Sequence, residues 1–373
     1  MSTEYFLIGC GLFNCTLARL FAEAGHKVHI IEARDHIGGN CFDLIDEKTG
    51  YRYHKYGPHI FHFSDNKWFE FLSRFGTLRP FHHSVKSVFG DAKFQIPVNL
   101  DTINQFFNVN LKPSEVAAFL ESRALKIDNP KNMEDQLLAK IGRELYEAFF
   151  KNYTQKQWGK SPSELPGSTI QRIPVRMNYN SSYYNKPYSY IPEEGFTPLI
   201  NNIINHENID IELKHFSNLD EIIGYTKYGK VVYTGELDKL FDYKYGRLEY
   251  RALRFELEHI KTKDFQGLSV INYPESKYRW TRICEPKHFP HIENINGFNN
   301  SETLIIKEIS KLKEPEDEAY YPIADKKNLE LFNRYAEEAN AIENLILAGR
   351  LGTYTYTDME QTLSKAFEVF ENV

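Results

Sequence analysis

The stretch Tyr5-Phe6-Leu7-Ile8-Gly9-Cys10-Gly11-Leu12-Phe13-Asn14-Cys15 runs from an apolar segment through a glycine turn into a helix-forming segment. Four apolar residues in a row suit a buried strand. Apolar positions then recur with helical spacing from Leu12 to about Ala24, Gly25 stops them, and Lys27 to Glu32 again reads as a strand. Strand, turn, helix and strand make a βαβ unit, whose two strands lie parallel in one sheet. Gly9 and Gly11 allow a tight turn and close backbone approach to a pyrophosphate, which rests on the free amides of a helix N-terminus. Asn14 stands where a third glycine is expected. Glu32 closes the second strand about 20 residues further on, where a carboxylate accepts hydrogen bonds from a ribose.

Outward from this unit the texture changes. From about Gly76 to Phe150 the stretches Asp101 to Phe107, Ser114 to Arg123 and Met133 to Phe150 are amphipathic and helix-like, which predicts a helical insertion. Tyr153 to Pro192 is rich in Tyr, Asn, Ser and Pro and reads as loops and edge strands beside a cleft. Pro198 to Ile204, Ile209 to His215 and Lys230 to Gly235 return to helix and strand patterns that belong with the first sheet. Alternation in Tyr250 to Leu257, Leu268 to Tyr273 and Thr303 to Ile309 predicts an antiparallel sheet. Asn344 to Ala348 reads as a last strand, followed by a glycine- and tyrosine-rich turn and a closing helix, Met359 to Phe370.

At 373 residues the chain has material for one large nucleotide-binding domain and smaller appended ones. A formal charge of −6 argues against a nucleic-acid partner, because a binding face normally brings a basic excess. No apolar run approaches the roughly 20 residues of a membrane span, so no membrane partner and a cytoplasmic location are expected. Cys10, Cys15, Cys41 and Cys284 form no CxxC pair and no His cluster stands at metal spacing, so no metal is expected. The 24 Tyr and 27 Phe suit a cleft where rings stack on a base or sugar and phenols donate to phosphates.

The run Glu32-Ala33-Arg34-Asp35-His36-Ile37-Gly38-Gly39-Asn40 resembles the extended signature of FAD-binding flavoproteins. With Ala348-Gly349-Arg350 and Asp358-Met359 opening a second helix, FAD is the implied cofactor. The chain as a whole resembles the bacterial UDP-galactopyranose mutases. The resemblance runs through His54-Lys55-Tyr56-Gly57-Pro58-His59-Ile60-Phe61-His62, Tyr153-Thr154-Gln155-Lys156-Gln157-Trp158-Gly159, Arg172-Ile173-Pro174-Val175-Arg176, Leu248-Glu249-Tyr250-Arg251 and Tyr354 to Met359. It implies an α/β fold: a Rossmann-like FAD-binding domain (residues 1–76, 195–240 and 341–373), an inserted helical domain (77–150) and a twisted antiparallel β-sheet domain that binds substrate (151–194 and 241–340).

It also implies an isomerase that interconverts the pyranose and furanose forms of a nucleotide sugar, UDP-galactose first, through a covalent adduct of reduced flavin with the sugar. By position, Gly9, Gly11, Phe13, Glu32, Ala33, Gly39, Asn40, His59, Ile60, Arg350, Asp358 and Met359 would meet FAD. Phe149, Tyr153, Thr154 and Trp158 would line the uridine side. Arg172 and Arg282 would bind the diphosphate with the phenols of Tyr183, Tyr321 and Tyr356, while His83, Glu308 and Asp358 would stand near the sugar. His59, Arg172 and Arg282 are the expected catalytic residues. Arginine forks and phenols suit a diphosphate because they satisfy its oxygens directionally.

Of the two tyrosines Tyr354 and Tyr356, strand-like alternation allows only one to face the ligand. Arg176 is expected to pair with acidic residues on a solvated face, and Asp358 also suits the N-cap of the last helix. The sequence departs from the family pattern at Asn14, His83, Arg247 and Thr357. The sugar and base therefore stay open, with UDP-N-acetylgalactosamine, TDP-fucose or another deoxy sugar as alternatives. An FAD-dependent oxidoreductase is the rival class, since the cofactor motif alone is shared with it. A homodimer follows from the resemblance only.

Overall fold

The computed structural model describes residues 3–167, 174–216, 219–296 and 301–373. The opening βαβ unit forms as its pattern dictates: a strand Glu4–Ile8, a helix Leu12–Glu23 and a strand Lys27–Glu32, the two strands parallel with Tyr5 opposite Val28. They sit at the centre of a five-stranded parallel sheet. Its order is Ile209–Leu213, Lys27–Glu32, Glu4–Ile8, Lys230–Tyr233 and Leu345–Leu347. The helix Leu12–Glu23 and the last helix Met359–Asn372 cover one face, where Leu7, Leu17, Phe21, Val28, Ile30, Val232, Leu363 and Ala366 form a continuous core. The other face is covered by the helix Lys326–Asn340 through Tyr335 and Ala339.

Beside this layer stands a seven-stranded sheet in the order Tyr321–Pro322, Tyr250–Ile260, Thr303–Leu312, Arg282–Cys284, Val270–Asn272, Val85–Phe89 and Ala92–Ile96. All its neighbours are antiparallel except Val270–Asn272 with Val85–Phe89. A three-stranded sheet of Phe61–Phe63, Tyr188–Pro192 and Leu78–Pro80 links the two layers. Against the hairpin of residues 85–96 pack the helices Leu100–Phe107, Val116–Arg123 and Met133–Leu145, burying Ile103, Val116, Leu120, Leu137, Ile141 and Leu145.

Three segments differ from the sequence reading. Residues 78–96, expected within the helical insertion, are extended, and the helices begin only at Leu100, where Asn99 caps by accepting from the Thr102 amide. The burial of Val85-Lys86-Ser87-Val88-Phe89 alternates with the period of a strand, and Gly90-Asp91 makes the turn. Tyr153 to Trp158, expected as loop or edge strand, lies in a helix Asn152–Trp158 that continues a π-helical turn, Tyr146–Lys151. Local propensity yields there to the burial of Phe149 and Phe150. Finally, Lys326–Asn340 is a long helix inside a segment expected as antiparallel sheet, and its N-cap Asp325 accepts from the Asn328 amide.

Candidate functional site: a dinucleotide cavity and an arginine and tyrosine cluster

A cavity of about 590 Å3 opens at the carboxyl ends of the parallel strands. Gly9, Gly11, Phe13, Glu32, Ala33, Gly39, Asn40, His59, Arg350 and Met359 all line it. Gly11 is the N-cap of the first helix and has no side chain to occupy its amides. A Cβ built on Gly11 would meet nothing within 4 Å, so the turn faces open space at the positive end of a three-turn helix. A Cβ on Gly39 would come within 2.9 Å of the Gly11 Cα, so that second loop reaches the turn only because residue 39 is glycine.

Asn14, at the position of the third glycine, is buried and donates from its amide nitrogen to the carbonyls of Ile8 (3.0 Å) and Gly9 (2.8 Å). Hydrogen bonds thus hold the helix to the strand end. The Glu32 carboxylate accepts from the Cys10 amide at 2.6 Å and the Arg34 amide at 2.7 Å, which fixes it at the cavity wall with lone pairs left over for a diol.

Sequence reasoning assigned no role to Arg34, although it lies inside the quoted run. Its side chain lines the cavity, bonds Asn40 Oδ1 at 3.0 Å and Glu318 at 2.5 Å, and keeps Nη1 buried without a partner among the described residues. Such an orphaned donor suits an anionic or hydroxyl-rich ligand. Tyr320 and Thr234 also line the cavity and were missed, the first hidden behind its neighbour Tyr321 and the second carried by a strand end with no motif of its own.

At the far end Arg350 donates to the carbonyls of Tyr320 (3.2 Å) and Thr357 (2.7 Å) and lies over the rings of Tyr321 and Tyr356. It joins the cavity to a second cluster. Arg282, on the strand Arg282–Cys284, donates from Nε and Nη2 to Glu308 Oε2 at 2.8 and 2.7 Å. Glu308 is buried, and its Oε1 has no hydrogen-bond partner among the described residues. The pair holds the guanidinium firmly charged: burial works against the charge, and Glu308 with the phenols of Tyr153 and Tyr321 more than offsets it.

Burial pushes the Tyr321 phenol up to about 12, with Tyr356 and Glu308 adding to the rise and Arg282 and Arg350 opposing it. Tyr153 is raised for the same first reason, again with Arg282 opposing. Both phenols therefore stay protonated donors near neutrality. The ring centroid of Tyr321 lies 5.6 Å from that of Tyr356 and 6.2 Å from that of Trp158.

His59 stands between the two regions. Burial brings its imidazole down to about 4, its Nδ1 bond to the Gly57 carbonyl (2.8 Å) opposes this, and the charges of Arg350 and Arg282 lower it further. It is neutral at physiological pH, with Nδ1–H donating and Nε2 left as an acceptor.

Other expected residues have different surroundings. Phe149 is buried among Phe89, Phe94 and Phe106, Thr154 is buried, and Ile60 packs with Val85, Ile191 and Leu304. None of the three lines the cofactor cavity. Arg172 lies outside the described residues. Arg176, expected on a solvated face beside acids, is buried and donates to the carbonyls of Ser182 and Tyr184, so it braces the loop carrying Tyr183.

Tyr354 is core, its hydroxyl on the carbonyls of Glu249 and Ile323, while Tyr356 meets Tyr321 and Arg350. Asp358 caps the last helix by accepting from the Gln361 amide and also binds Lys186, both at 2.8 Å. His83 is buried, held down to about 3 by burial and then by Arg282, His62 and His82, and its Nδ1 has no partner among the described residues. Arg247 stacks on Tyr243, a residue that lines the cavity.

Residues 148–356 match the family model described as UDP-galactopyranose mutase, and residues 7–75 match a NAD(P)-binding Rossmann-like domain. A probable UDP-galactopyranose mutase of Klebsiella pneumoniae is 40% identical over 97% of this chain and 92% of its own length. The chain belongs to the UDP-galactopyranose mutase family. A dTDP-fucopyranose mutase of Escherichia coli is 38% identical over 98% of this chain and 97% of its own. The fold of a reduced UDP-galactopyranose mutase crystal structure covers all of this chain and 94% of that one with a TM-score of 0.77 at 14% identity. FAD is the cofactor of this family, and the residues of the cavity fit it: an open glycine turn on a helix N-terminus for the pyrophosphate, Glu32 for a ribose and the orphaned Arg34 donor. No helix among the described residues is long and apolar enough to cross a membrane.

The buried histidines give the fold a pH dependence. His54 Nδ1 accepts from the His59 amide (2.9 Å), its Nε2 faces His291 Nε2 at 3.0 Å, and His291 Nδ1 meets the Pro192 carbonyl at 2.9 Å. These partners require both rings to be neutral, with His54 donating to His291. Burial first, and then His291, His59 and Arg52, puts His54 well below its usual range, while burial brings His291 down to about 4, with Asp43 and the Pro192 carbonyl opposing and Arg52 lowering it further. The unfolded chain takes up protons below about pH 6.5 and the folded chain does not, so this stability is complete above 6.5 and lost as pH falls toward 4. Over the fall to pH 4.5, which stays above the folded value of His83 and near that of His291, each of the two takes away on the order of 3 kcal/mol. Denaturant titrations at pH 7, 5.5 and 4.5 should show a steep fall, flattened by His83→Phe, which removes one titration; an unchanged midpoint would contradict the neutral assignment.

Proposed function

We propose that the chain interconverts the pyranose and furanose forms of a nucleotide sugar, with UDP-galactose as the first substrate to test and dTDP-fucose as the second. The observation that carries this reading is the junction at His59 and Arg350, where the FAD cavity meets the cluster of Arg282, Glu308, Tyr153, Tyr321 and Tyr356. A diphosphate carries about two charges, and this chain meets it with the guanidinium of Arg282 and protonated phenols. Arg172 is assigned as the second guanidinium, and the faces of Tyr153 and Trp158 as the platform for the base.

The chemistry that FAD would supply when bound and reduced is an electron-rich nitrogen for the anomeric carbon, so the protein would need no nucleophile of its own. Its residues do the rest. Arg282 and the phenols hold the diphosphate as it leaves and returns, keeping the released nucleotide as a remote anchor while the sugar ring reopens and closes. Neutral His59 presents an acceptor at Nε2 on the flavin side, and Glu308 Oε1 is a buried acceptor for a hydroxyl. Asp358 and Met359 bring a second helix N-terminus to the cofactor. A homodimer and a cytoplasmic location belong to the same reading and rest on the family resemblance.

Support for the second substrate comes from the Escherichia coli relative and from His83, a departure from the family pattern whose buried Nδ1, without a partner among the described residues, suits a sugar hydroxyl. Incubating the reduced protein with UDP-galactose, UDP-N-acetylgalactosamine and dTDP-fucose and following the anomeric signals by NMR separates these. Furanose from UDP-galactose supports the first assignment, and furanose from dTDP-fucose alone replaces it. Substrate oxidation without ring exchange would support an oxidoreductase instead.

A further inference from the structure

Lys156 lies on the helix Asn152–Trp158, three residues after Tyr153 and therefore on neighbouring faces of the same turn. Its ammonium reaches the carbonyls of Trp280 at 2.9 Å, Glu275 at 3.1 Å and Tyr278 at 3.1 Å, as well as that of Tyr273. All four belong to one loop between the strands Val270–Asn272 and Arg282–Cys284, closed at its base by the Tyr273 amide on the Thr281 carbonyl at 2.8 Å. No carboxylate forms an ion pair with Lys156 among the described residues; the Glu275 side chain pairs with Lys277 instead.

Four carbonyl dipoles aimed at one point repel each other unless a cation sits there, and the Lys156 ammonium supplies that charge on a half-buried stem, its three N–H donors shared among the four oxygens. The helix has its own anchor. Arg251 donates to the carbonyls of Gln157 (2.9 Å) and Lys156 (3.0 Å), and Ser310 to that of Gln157 (2.7 Å), so the helix end is tied to the long central strands. Lys156 in turn ties the loop to the helix. Arg282 follows that loop directly.

We propose that Lys156 is a positioning residue whose ammonium, clasped by the four carbonyls, sets the spacing between Tyr153 and Arg282 and with it the affinity for the nucleotide. The inference rests on the assignment of those two residues to the nucleotide. Lys156→Met fills the stem without charge and Lys156→Ala opens a space for an added amine, so the two separate packing from charge.

The test measures FAD content, unfolding midpoint and the Kd for UDP and dTDP in the parent and both variants. Both variants should keep FAD, bind the parent's preferred nucleotide about tenfold more weakly or worse, and differ in rescue. Ethylammonium should restore most of the affinity of Lys156→Ala and none of that of Lys156→Met. Affinity within about twofold of the parent in Lys156→Met, or loss of affinity only together with FAD and the fold in both variants, overturns the clasp. A parent that binds neither UDP nor dTDP overturns the nucleotide assignment itself, and the clasp with it.

Discussion

Arg282→Met is expected to lower the stability of the protein by about 3–5 kcal/mol and to abolish measurable binding of UDP or dTDP. The two effects have different causes. Glu308 is buried and its bonded oxygen depends on Arg282 at 2.7 and 2.8 Å, so removing the guanidinium leaves a carboxylate in the interior with no countercharge. Replacing both partners by apolar side chains of similar shape removes that penalty. Arg282→Met with Glu308→Leu should therefore recover most of the stability in denaturant titration while nucleotide binding stays lost. Recovery of nucleotide affinity in the double variant would show that Arg282 acts through the fold alone; a single variant as stable as the parent would show that the pair is not buried as described.

The second large effect concerns the cofactor. Gly11→Val places a branched side chain where a Cβ meets nothing within 4 Å, in a backbone conformation that any residue adopts (φ −83°, ψ 173°). The folded chain has room for it. The pyrophosphate does not, because the added methyl groups occupy the space in front of the helix amides. The variant should unfold at or near the midpoint of the FAD-free parent yet purify without flavin, read from the ratio of visible to ultraviolet absorbance. Full flavin content would mean that the pyrophosphate lies elsewhere.

Much of this was legible in the residues, for identifiable reasons. The stretch from Tyr5 to Glu32 agrees at every level, apolar run, glycine turn, helical period and terminal carboxylate, and its boundaries differ from the observed elements by a residue or so at most. Where levels conflicted, the reading failed. The helix-like stretches from Asp101 onward carried the helical reading back over the hairpin of residues 85–96, although Gly90-Asp91 marked its turn.

The helix carrying Tyr153 and Trp158 has little periodicity of its own, and its course is set by a buried π-helical turn before it and by Arg251 at its end. Lys326–Asn340 is helical because Tyr335 and Ala339 have a sheet to cover, which no local pattern announces. At the site, motifs pointed to Glu32, His59 and Arg350, and the family resemblance, by position, to Arg282. Lys156 and Arg251 act on main-chain carbonyls, a role with no residue-level signature. Arg176 misled for the same reason, since an arginine on carbonyls and one on carboxylates look alike in a sequence.

The central claim is that ring exchange runs on reduced flavin with no net redox change. The most direct test gives the same protein, oxidised or reduced with dithionite under anaerobic conditions, a large excess of nucleotide sugar and follows furanose by NMR and flavin by absorbance. The account predicts many turnovers by the reduced protein with its flavin still reduced at the end, and none by the oxidised protein. Equal turnover in the oxidised state, or one equivalent of reductant spent per product, would contradict it.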